Sequence, residues 1–404
     1  MRKMKDSRIE WIGEIPESWE IERNKHCFDI SKEIVGEASS STELLSLTTK
    51  GVRYKSSTDT AGKVPESYDT YQYVHENDLI MCLFDLDCSA VFSGISPYHG
   101  MVSPAYRILS CNHLMNPHYA DYWFQFVFVG RKFMSYSKTL RYTLTYDEFG
   151  VLPILRPCLQ EQIVIAAYLD RQCAHIDNII EKTKVSIGEY KKLRQAIITQ
   201  AVTKGVRGDR PMKDSGIEWI GEIPEDWEIH KFCWNYSAML GKMLDAKRVT
   251  GKKLHSYIKN ADVQWWRINT EALDEMDFDE TEYERYTLKP GDLVICEGGE
   301  IGKCAIVPND FPSNVYYQKA LHRVRVRNGQ GNLQFLSYVM YAMAKGNAFN
   351  STPEKATIAH LPGDALSQLR IPFPPVAEQN EIVSHLDRKR TELNNIIELN
   401  TIID

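Results

Sequence analysis

No run of apolar residues in this chain is long enough to cross a membrane. The most apolar stretch, Tyr122 to Val129, is eight residues long and contains Gln125, against the roughly 20 residues a bilayer demands. The N-terminal residues Met1-Arg2-Lys3-Met4-Lys5-Asp6 have no apolar core of the kind a secretion signal carries. Both absences point to a soluble, cytoplasmic protein with no membrane partner. The nine cysteines are scattered, with no CxxC and no Cys/His pair at zinc-finger spacing. A disulfide framework and a structural zinc site are thereby disfavoured, and buried, reduced thiols are expected. An excess of one charge is missing as well, since 48 basic residues face 54 acidic ones for a net charge of −6. A polybasic coat for nucleic acid is excluded. A specific reader with local basic patches is not, because net charge averages over faces.

Catalytic signatures are absent in turn. There is no GxxxxGK(S/T) phosphate loop, no HExxH and no GxSxG. Glu297-Gly-Gly-Glu-Ile-Gly302 misses GxGxxG spacing and reads as the turn of a strand–loop–strand unit. Asn116-Pro117-His118-Tyr119 has some likeness to an adenine-methyltransferase loop, but no glycine-rich cofactor strand precedes it. It reads as a helix N-cap with proline in the first turn. His99, His113 and His360 have no partner at metal-ligand spacing. No catalytic residue and no metal site is expected.

What the chain does have is an internal repeat. Residues 6–21, DSRIEWIGEIPESWEI, return as residues 214–229, DSGIEWIGEIPEDWEI, with two of sixteen positions changed at an offset of 208. Glu161-Gln162, Leu169-Asp170-Arg171 and Asn178-Ile-Ile-Glu181 return as Glu378-Gln379, Leu386-Asp387-Arg388 and Asn395-Ile-Ile-Glu398, at an offset of 217. Between them, Asp78-Leu-Ile-Met-Cys82 pairs with Asp292-Leu-Val-Ile-Cys296. The order of landmarks is the same in both halves, so the chain is a tandem duplication of a unit of roughly 200 residues, too long for a solenoid repeat. Matched ends and unmatched middles suggest one scaffold holding two different modules. Trp11, Ile12, Ile15, Pro16 and Trp19 and their second copies are packing residues, and Gly13 and Pro16 favour strand and turn over helix.

From Leu159 to about Thr203 there is no proline. Leu169, Cys173, Ile176, Ile180, Thr183, Ile187, Tyr190, Arg194, Ile197 and Ala201 recur in steps of four and three, the pattern of a coiled-coil seam. At ~1.5 Å per residue such a helix is on the order of 65 Å long and cannot bury its stripe against itself. Its expected partner is the second copy, Ala377 to Ile403, with Ile382, Leu386, Leu393, Ile397 and Ile403 inward. Asp404 aligns with Ile187, so the second copy holds no equivalent of Gly188 to Gly205. Either the far half of the seam packs on another chain or this is a shortened form. The middles read as mixed α and β, with strands near residues 78–82 and 292–296, and helices over 117–133 and 333–349. The segment 321–327 alternates with period two and predicts a strand with one charged face.

Basic clusters occur in both modules. Lys50, Arg53 and Lys55 flank Tyr54; Arg131 to Arg141 carries four bases and no acid; Lys242 to Lys259 carries six bases against Asp245. Opposed to them, Glu271 to Glu300 holds eleven acids and two bases, which would repel a duplex. Loops of this composition suit phosphate positioning, with amide and hydroxyl groups available for base edges.

The twin IEWIGEIPExW segments, the twin Pro-x-x-x-Glu-Gln segments (Pro157 to Gln162, Pro374 to Gln379) and Ala201-Val-Thr-Lys-Gly205 at the close of the first helix carry a resemblance. So do Lys289 to Lys303 and Gly100 to Tyr106. Over essentially its whole length the chain resembles the DNA specificity subunits of type I restriction–modification enzymes. The resemblance implies an α+β fold with two globular target-recognition domains separated by long antiparallel coiled-coil spacer helices in a pseudo-twofold tandem repeat. In this chain they would be residues 1–156, helix 157–205, residues 206–373 and a short helix 374–404. It further implies a non-catalytic subunit that reads a bipartite site in double-stranded DNA, one half-site per domain, and positions two methyltransferase subunits and the translocase/nuclease restriction subunits. This chain would bind no cofactor of its own, S-adenosylmethionine and ATP with Mg being held by the partners. The spacer would act as a ruler for the unread base pairs. Base contacts are expected from Ser137, Lys138, Arg141, Tyr142 and Thr143, and from Thr352, Lys355 and Thr357. Phosphate contacts are expected from Lys50, Arg53, Tyr54 and Lys55, and from Lys242, Lys247, Arg248, Lys252 and Lys253. The rival reading is a duplicated coiled-coil scaffold that reads no DNA. It accounts for the seam but not for divergent basic loops between matched ends.

Overall fold

The computed structural model describes residues 2–55, 67–243, 251–350 and 360–401. They form two compact units, Met1–Asn178 and Ile179–Asp404, so the division falls inside the long helix Leu159–Lys204. The fold is α+β, and the same scaffold is built twice.

In the first unit, strand Met4–Asp6 pairs antiparallel with Glu14–Pro16, and the backbone N–H of Ser7 closes the hairpin onto the carbonyl of Gly13 at 2.9 Å. Gly13 sits at φ +71°, a left-handed conformation that glycine adopts without steric cost. The second unit repeats this with Met212–Asp214 on Glu222–Pro224 and Ser215 on Gly221, φ +65°. The strand-and-turn expectation for the repeated segment therefore holds. Ile15 and Ile223 point inward and are buried.

Each unit then builds a four-stranded antiparallel sheet of one topology. In the first the strand order is Phe28–Ser31, Arg107–Cys111, Leu79–Met81, Ser93–Ile95; in the second it is Tyr236–Leu240, Leu321–Val326, Leu293–Cys296, Cys304–Ile306. The matched Asp-Leu segments thus supply the same strand of each sheet. The aspartates before those strands are buried because each closes a turn. Asp78 accepts from the His75 N–H and Asp292 from the Lys289 N–H, both at 2.8 Å. Residues 297–302 form the loop of the hairpin that joins Ile295 to Cys304, as expected.

The strand Leu321–Val326 departs from its expected charged face. It lies between two neighbours in the sheet and is covered on both sides, so His322 and Arg323 are buried along with Leu321 and Val324. Arg323 donates to the carbonyls of Arg285 and Thr287 (2.9 and 2.7 Å), Arg325 makes a two-point ion pair with Asp292, and His322 meets the Leu361 carbonyl at 2.9 Å. Alternation of residue types could not reveal that both faces would find cover.

Helices Pro117–Val129 and Leu333–Lys345 pack on these sheets. Both are capped by asparagine: Asn116 accepts from the Tyr119 N–H at 3.0 Å and Asn332 from the Phe335 N–H at 2.9 Å. The N-cap reading of Asn116-Pro117 holds. Strand Pro153–Arg156 pairs with Glu20–Arg23, and Arg370–Phe373 with Glu228–Lys231, each leading into a helix at Leu159–Lys204 or Val376–Thr401. Outside this scaffold the units differ. The first adds two-stranded ribbons, 45–48 with 51–54 and 72–74 with 100–102; the second adds a three-stranded sheet from 274–277, 254–258 and 316–317.

In the second unit the end of the long helix runs antiparallel to Val376–Thr401. Arg194 bonds Asn394 at 2.9 Å while Arg207 bonds Glu381 at 2.7 Å, so numbers rise on one helix as they fall on the other. Ile198, Ala201 and Val202 share a core with Ile382 and Leu386, and Leu393 is buried too. Ile397 is half-buried, and Ile403 lies outside the described residues. Further back, Leu169, Ile180, Thr183, Ile187 and Tyr190 of the expected seam are half-buried, whereas Cys173 and Ile176 are exposed. All nine cysteines are free; Cys27, Cys82, Cys296 and Cys304 are buried, whereas Cys88, Cys158 and Cys173 are exposed, contrary to expectation. Helix 159–204 and the loop at Asp85 place these three outside the cores. Burial pushes the Cys27 thiol up to about 11 and Cys296 up to about 12, which leaves them unreactive.

Candidate nucleic-acid interface

The repeated Glu-Gln pair, the repeated tryptophan and an arginine form one constellation in each unit. The Trp19 indole N–H donates to Glu161 at 3.0 Å, and Arg2 grips the same carboxylate at 2.5 and 3.0 Å. In the second unit Trp227 donates to Glu378 at 3.1 Å, and Arg210 grips it at 2.6 and 3.2 Å. Gln162 donates to the Pro157 carbonyl and accepts from the Asn116 N–H; Gln379 does the same with Pro374 and Asn332, all at 2.8–2.9 Å. Tyr122 and Tyr338 complete the set by donating to Asp170 and Asp387. These polar residues are fully used in joining the helix N-terminus to the hairpin and to the packed helix. Their repetition is therefore structural, and it places the variable loops on equivalent frames.

The first unit's candidates fall into two groups. Lys50, Arg53, Tyr54 and Lys55 occupy the ribbon 45–48/51–54: Lys50 is in its turn, Arg53 and Tyr54 are exposed, and Lys55 is half-buried. Val52 points the other way into a small core, so Arg53 is held outward by strand alternation. Tyr54 packs on Tyr98 with ring centroids 4.3 Å apart.

Ser137, Lys138, Arg141, Tyr142 and Thr143 form the second group. Ser137 donates to the Thr143 carbonyl at 3.0 Å, and Thr143 donates its N–H to Thr139 at 2.8 Å, which cinches the loop. Asp85 fastens it from outside, since its N–H donates to Thr143 and its carboxylate pairs with Arg141 at 3.1 Å. Tyr142 sits at φ +52° with its ring edge-on to Phe133. Thr145 then begins helix Tyr146–Val151 with a reciprocal cap to Glu148, whose carboxyl those bonds hold below its usual range. Lys138 and Leu140 stand at the exposed tip, Leu140 almost wholly in solvent at 98%. The composition of this loop was legible; Asp85, 56 residues away, was not, because no spacing rule links it to Arg141.

In the second unit the basic run and the acidic run, opposed along the sequence, are paired in space. Lys242 is partly buried, 2.5 Å from Glu282 and 2.7 Å from the Asp277 carbonyl, with its ammonium over the Phe278 ring. Lys253 pairs with Asp279 at 3.2 Å and Lys259 with Asp274 at 2.5 Å, and these hydrogen bonds raise both amines. Lys252 is exposed. Lys247, Arg248, Thr352, Lys355 and Thr357 lie outside the described residues. Among the described residues no cluster of His, Cys, Asp and Glu could hold a metal ion, and no helix is long and apolar enough to cross a membrane.

Two scaffolds of one design, each with its own loops, define a duplicated α+β protein. Residues 240–402 match the family model of the type I restriction modification DNA specificity domain. The chain is 26% identical over 261 residues to the type I restriction enzyme MjaVIII specificity subunit of Methanocaldococcus jannaschii; the match covers 62% of this chain and 57% of that relative's own length. A chain from a type I restriction–modification system, solved for its complex assembly and conformational transition, superposes with a TM-score of 0.71 at 13% identity, covering 96% of this chain and 94% of that one. The HsdS subunit from Thermoanaerobacter tengcongensis superposes at 0.57 and 13% identity, covering 99% and 98%. Residues 240–402 thus carry the pattern of the type I restriction modification DNA specificity domain, and the chain as a whole has the fold of the solved HsdS subunit.

Proposed function

We propose that this chain recognises double-stranded DNA for a type I restriction–modification complex, each unit reading one half of a bipartite target. The observation that carries the reading is the contrast within the repeat. Glu161/Glu378, Gln162/Gln379 and Trp19/Trp227 keep identical partners, while the chain between them differs in sequence and in its added sheets. A scaffold kept constant around changing loops is what independent reading of two half-sites calls for. A plain coiled-coil scaffold gives no reason for the loops to diverge, and the family match does not favour it.

In this reading the chain is not an enzyme. It works in the cytoplasm, positioning two methyltransferase subunits and the restriction subunits, which hold S-adenosylmethionine and ATP with Mg. Ser137, Lys138, Arg141, Tyr142 and Thr143 lie at bases, and Lys50, Arg53, Tyr54 and Lys55 at phosphates. Lys252 and Lys253 remain phosphate candidates, whereas Lys242 is committed to Glu282 and contributes to folding first. With a net charge of −6, the isolated chain binds DNA weakly and with strong salt dependence, since its partners supply much of the phosphate contact. The test is a genome-wide map of methylated adenines with and without this gene. A bipartite motif that disappears with the gene supports the reading; an unchanged map would sink it.

A further inference from the structure

One backbone hydrogen bond recurs in the two units and fixes which parts of their loops correspond. The Leu144 N–H donates to the Leu83 carbonyl at 2.7 Å, and the Leu361 N–H donates to the Glu297 carbonyl at 2.6 Å. In both units this bond ties the segment before a short helix, Tyr146–Val151 or Gly363–Gln368, to the loop that follows the matched Asp-Leu strand. Thr143 and His360 are therefore equivalent, and so are the loops that start at Leu83 and Glu297. In the first unit the junction is fastened, since Thr143 accepts from the Asp85 N–H at 3.0 Å and Arg141 pairs with the Asp85 carboxylate. In the second it borders an open cleft of about 370 Å³, lined among others by Asn260, Glu297, Gln318, Lys319 and His360.

The backbone of this cleft is held from several sides. The Gln318 N–H donates to the Ile258 carbonyl at 3.1 Å, and the Gln318 carbonyl accepts from the Leu321 N–H at 3.0 Å. The Lys319 N–H donates to the Lys242 carbonyl at 2.8 Å. A Cβ at Gly241 would collide with the Gln318 carbonyl, so only glycine allows this close approach. Asn260 donates its amide to the Gly298 carbonyl at 2.7 Å and pins the glycine loop. Yet among the described residues the side chains of Glu297, Gln318 and Lys319 make no hydrogen bond and no ion pair. Unspent donors and acceptors on a fixed frame are what reading the polar edge of a partner requires.

We propose that Gln318 reads an adenine of the second half-site and that Lys319 meets a neighbouring phosphate. The inference rests on the DNA recognition proposed above and names where the second unit performs it. The chemistry of the cleft selects the ligand. Gln318 presents a donor and an acceptor side by side, the complement of the adenine edge, whose N6 amine donates and whose N7 accepts in the major groove. The Glu297 carboxylate disfavours a phosphate inside the cleft and accepts from an exocyclic amine, so a base edge enters and the backbone stays outside. Lys319 is exposed and offers a cation for that backbone. Lys242, whose carbonyl supports the cleft, spends its ammonium on Glu282 and takes no part.

The experiment maps methylated adenines in cells carrying the wild-type gene, Gln318→Ala or Lys319→Ala. It then scores the assembled complexes on duplexes varied one position at a time. Gln318→Ala should make a single motif position degenerate, with the preference for adenine there falling at least about fivefold. That position should lie in the half-site that Arg141→Glu leaves intact. Lys319→Ala should weaken binding to all sequences alike and reduce the log–log salt slope by about 1. Both variants should keep the wild-type unfolding midpoint. If no bipartite motif depends on the wild-type gene, the DNA reading itself fails. A gene-dependent motif that Gln318→Ala leaves unchanged overturns the role of Gln318 alone. So does a uniform loss of methylation with a lowered unfolding midpoint, because Gln318 would then be packing against another segment of this chain. An unchanged salt slope in Lys319→Ala removes the phosphate contact.

Discussion

The Trp227 indole N–H lies 3.1 Å from the Glu378 carboxylate, a bond that joins the first repeated motif of the second half to the one that opens its helix across 151 residues. It also joins the two sequence signals from which the duplication was legible. The tryptophan packs the hairpin, the glutamate opens the helix, and Arg210 holds both by pairing with the carboxylate and lying over the indole ring at 5.3 Å.

Glu378→Ala should destabilise the second unit by about 3–5 kcal/mol, the usual cost of stranding one partner of a buried ion pair. The same change at Glu161, whose partner Arg2 is half in solvent, should cost far less. Urea unfolding followed separately for each unit by hydrogen exchange measures both. Equal shifts would show that burial of Glu378 is not what gives the bond its weight.

The second unit should weaken in mild acid through His322. Burial lowers its pKa from 6.5, and the neutral ring meets the Leu361 carbonyl. A lowered folded value means the contribution is fully present above pH 6.5 and is lost as pH falls through the folded value. His322→Gln should flatten the decline in denaturation midpoint between pH 7.5 and 5.5. An unchanged slope would assign the decline to other groups.

Arg141→Glu should impair one half-site alone. It places a carboxylate beside Asp85 and removes a base from the loop. In the assembled complex, affinity for the intact target should fall at least tenfold, with a log–log salt slope reduced by about 1. Selectivity at the other half-site, scored with scrambled duplexes, should be retained. Loss of selectivity at both halves would contradict modular reading. Lys242→Ala provides the contrast: it should lower the stability of the second unit by about 1.5–3 kcal/mol with a smaller effect on the salt slope.

Insertion near Gly205 would disrupt the contact with Glu378 and Trp227, so the place to lengthen the helix is the exposed stretch Cys173–Ile179. Seven added residues keep the helical phase within about 20° and add roughly 10 Å. The methylated motif should then gain about three unread base pairs at ~3.4 Å each, with both half-site sequences intact. Unchanged spacing would refute the ruler.

Much of the frame was legible because its signals are local. The hairpin glycine, the Asn116 cap and the proline-free heptads each follow from a few neighbouring residues. Ser137 to Thr143 was recognisable as a loop by composition, but its fastening to Asp85 was not. The opposed charge runs at 242–259 and 271–300 were misleading as a pair, since counting charge along the chain does not report which bases meet which acids.

Read alone, the amino-acid order reveals a duplication, a long helix after each globular part, and the family whose pattern the chain carries. Tertiary structure decided which polar residues of the repeat are consumed by the scaffold, that His322 and Arg323 are buried, and that Lys242 belongs to Glu282. It also decided that Glu378 is buried while its counterpart Glu161 is half-buried. The reason is physical: periodicity and turn chemistry act over a few residues, whereas burial depends on what another part of the chain, often more than a hundred residues away, brings against a residue.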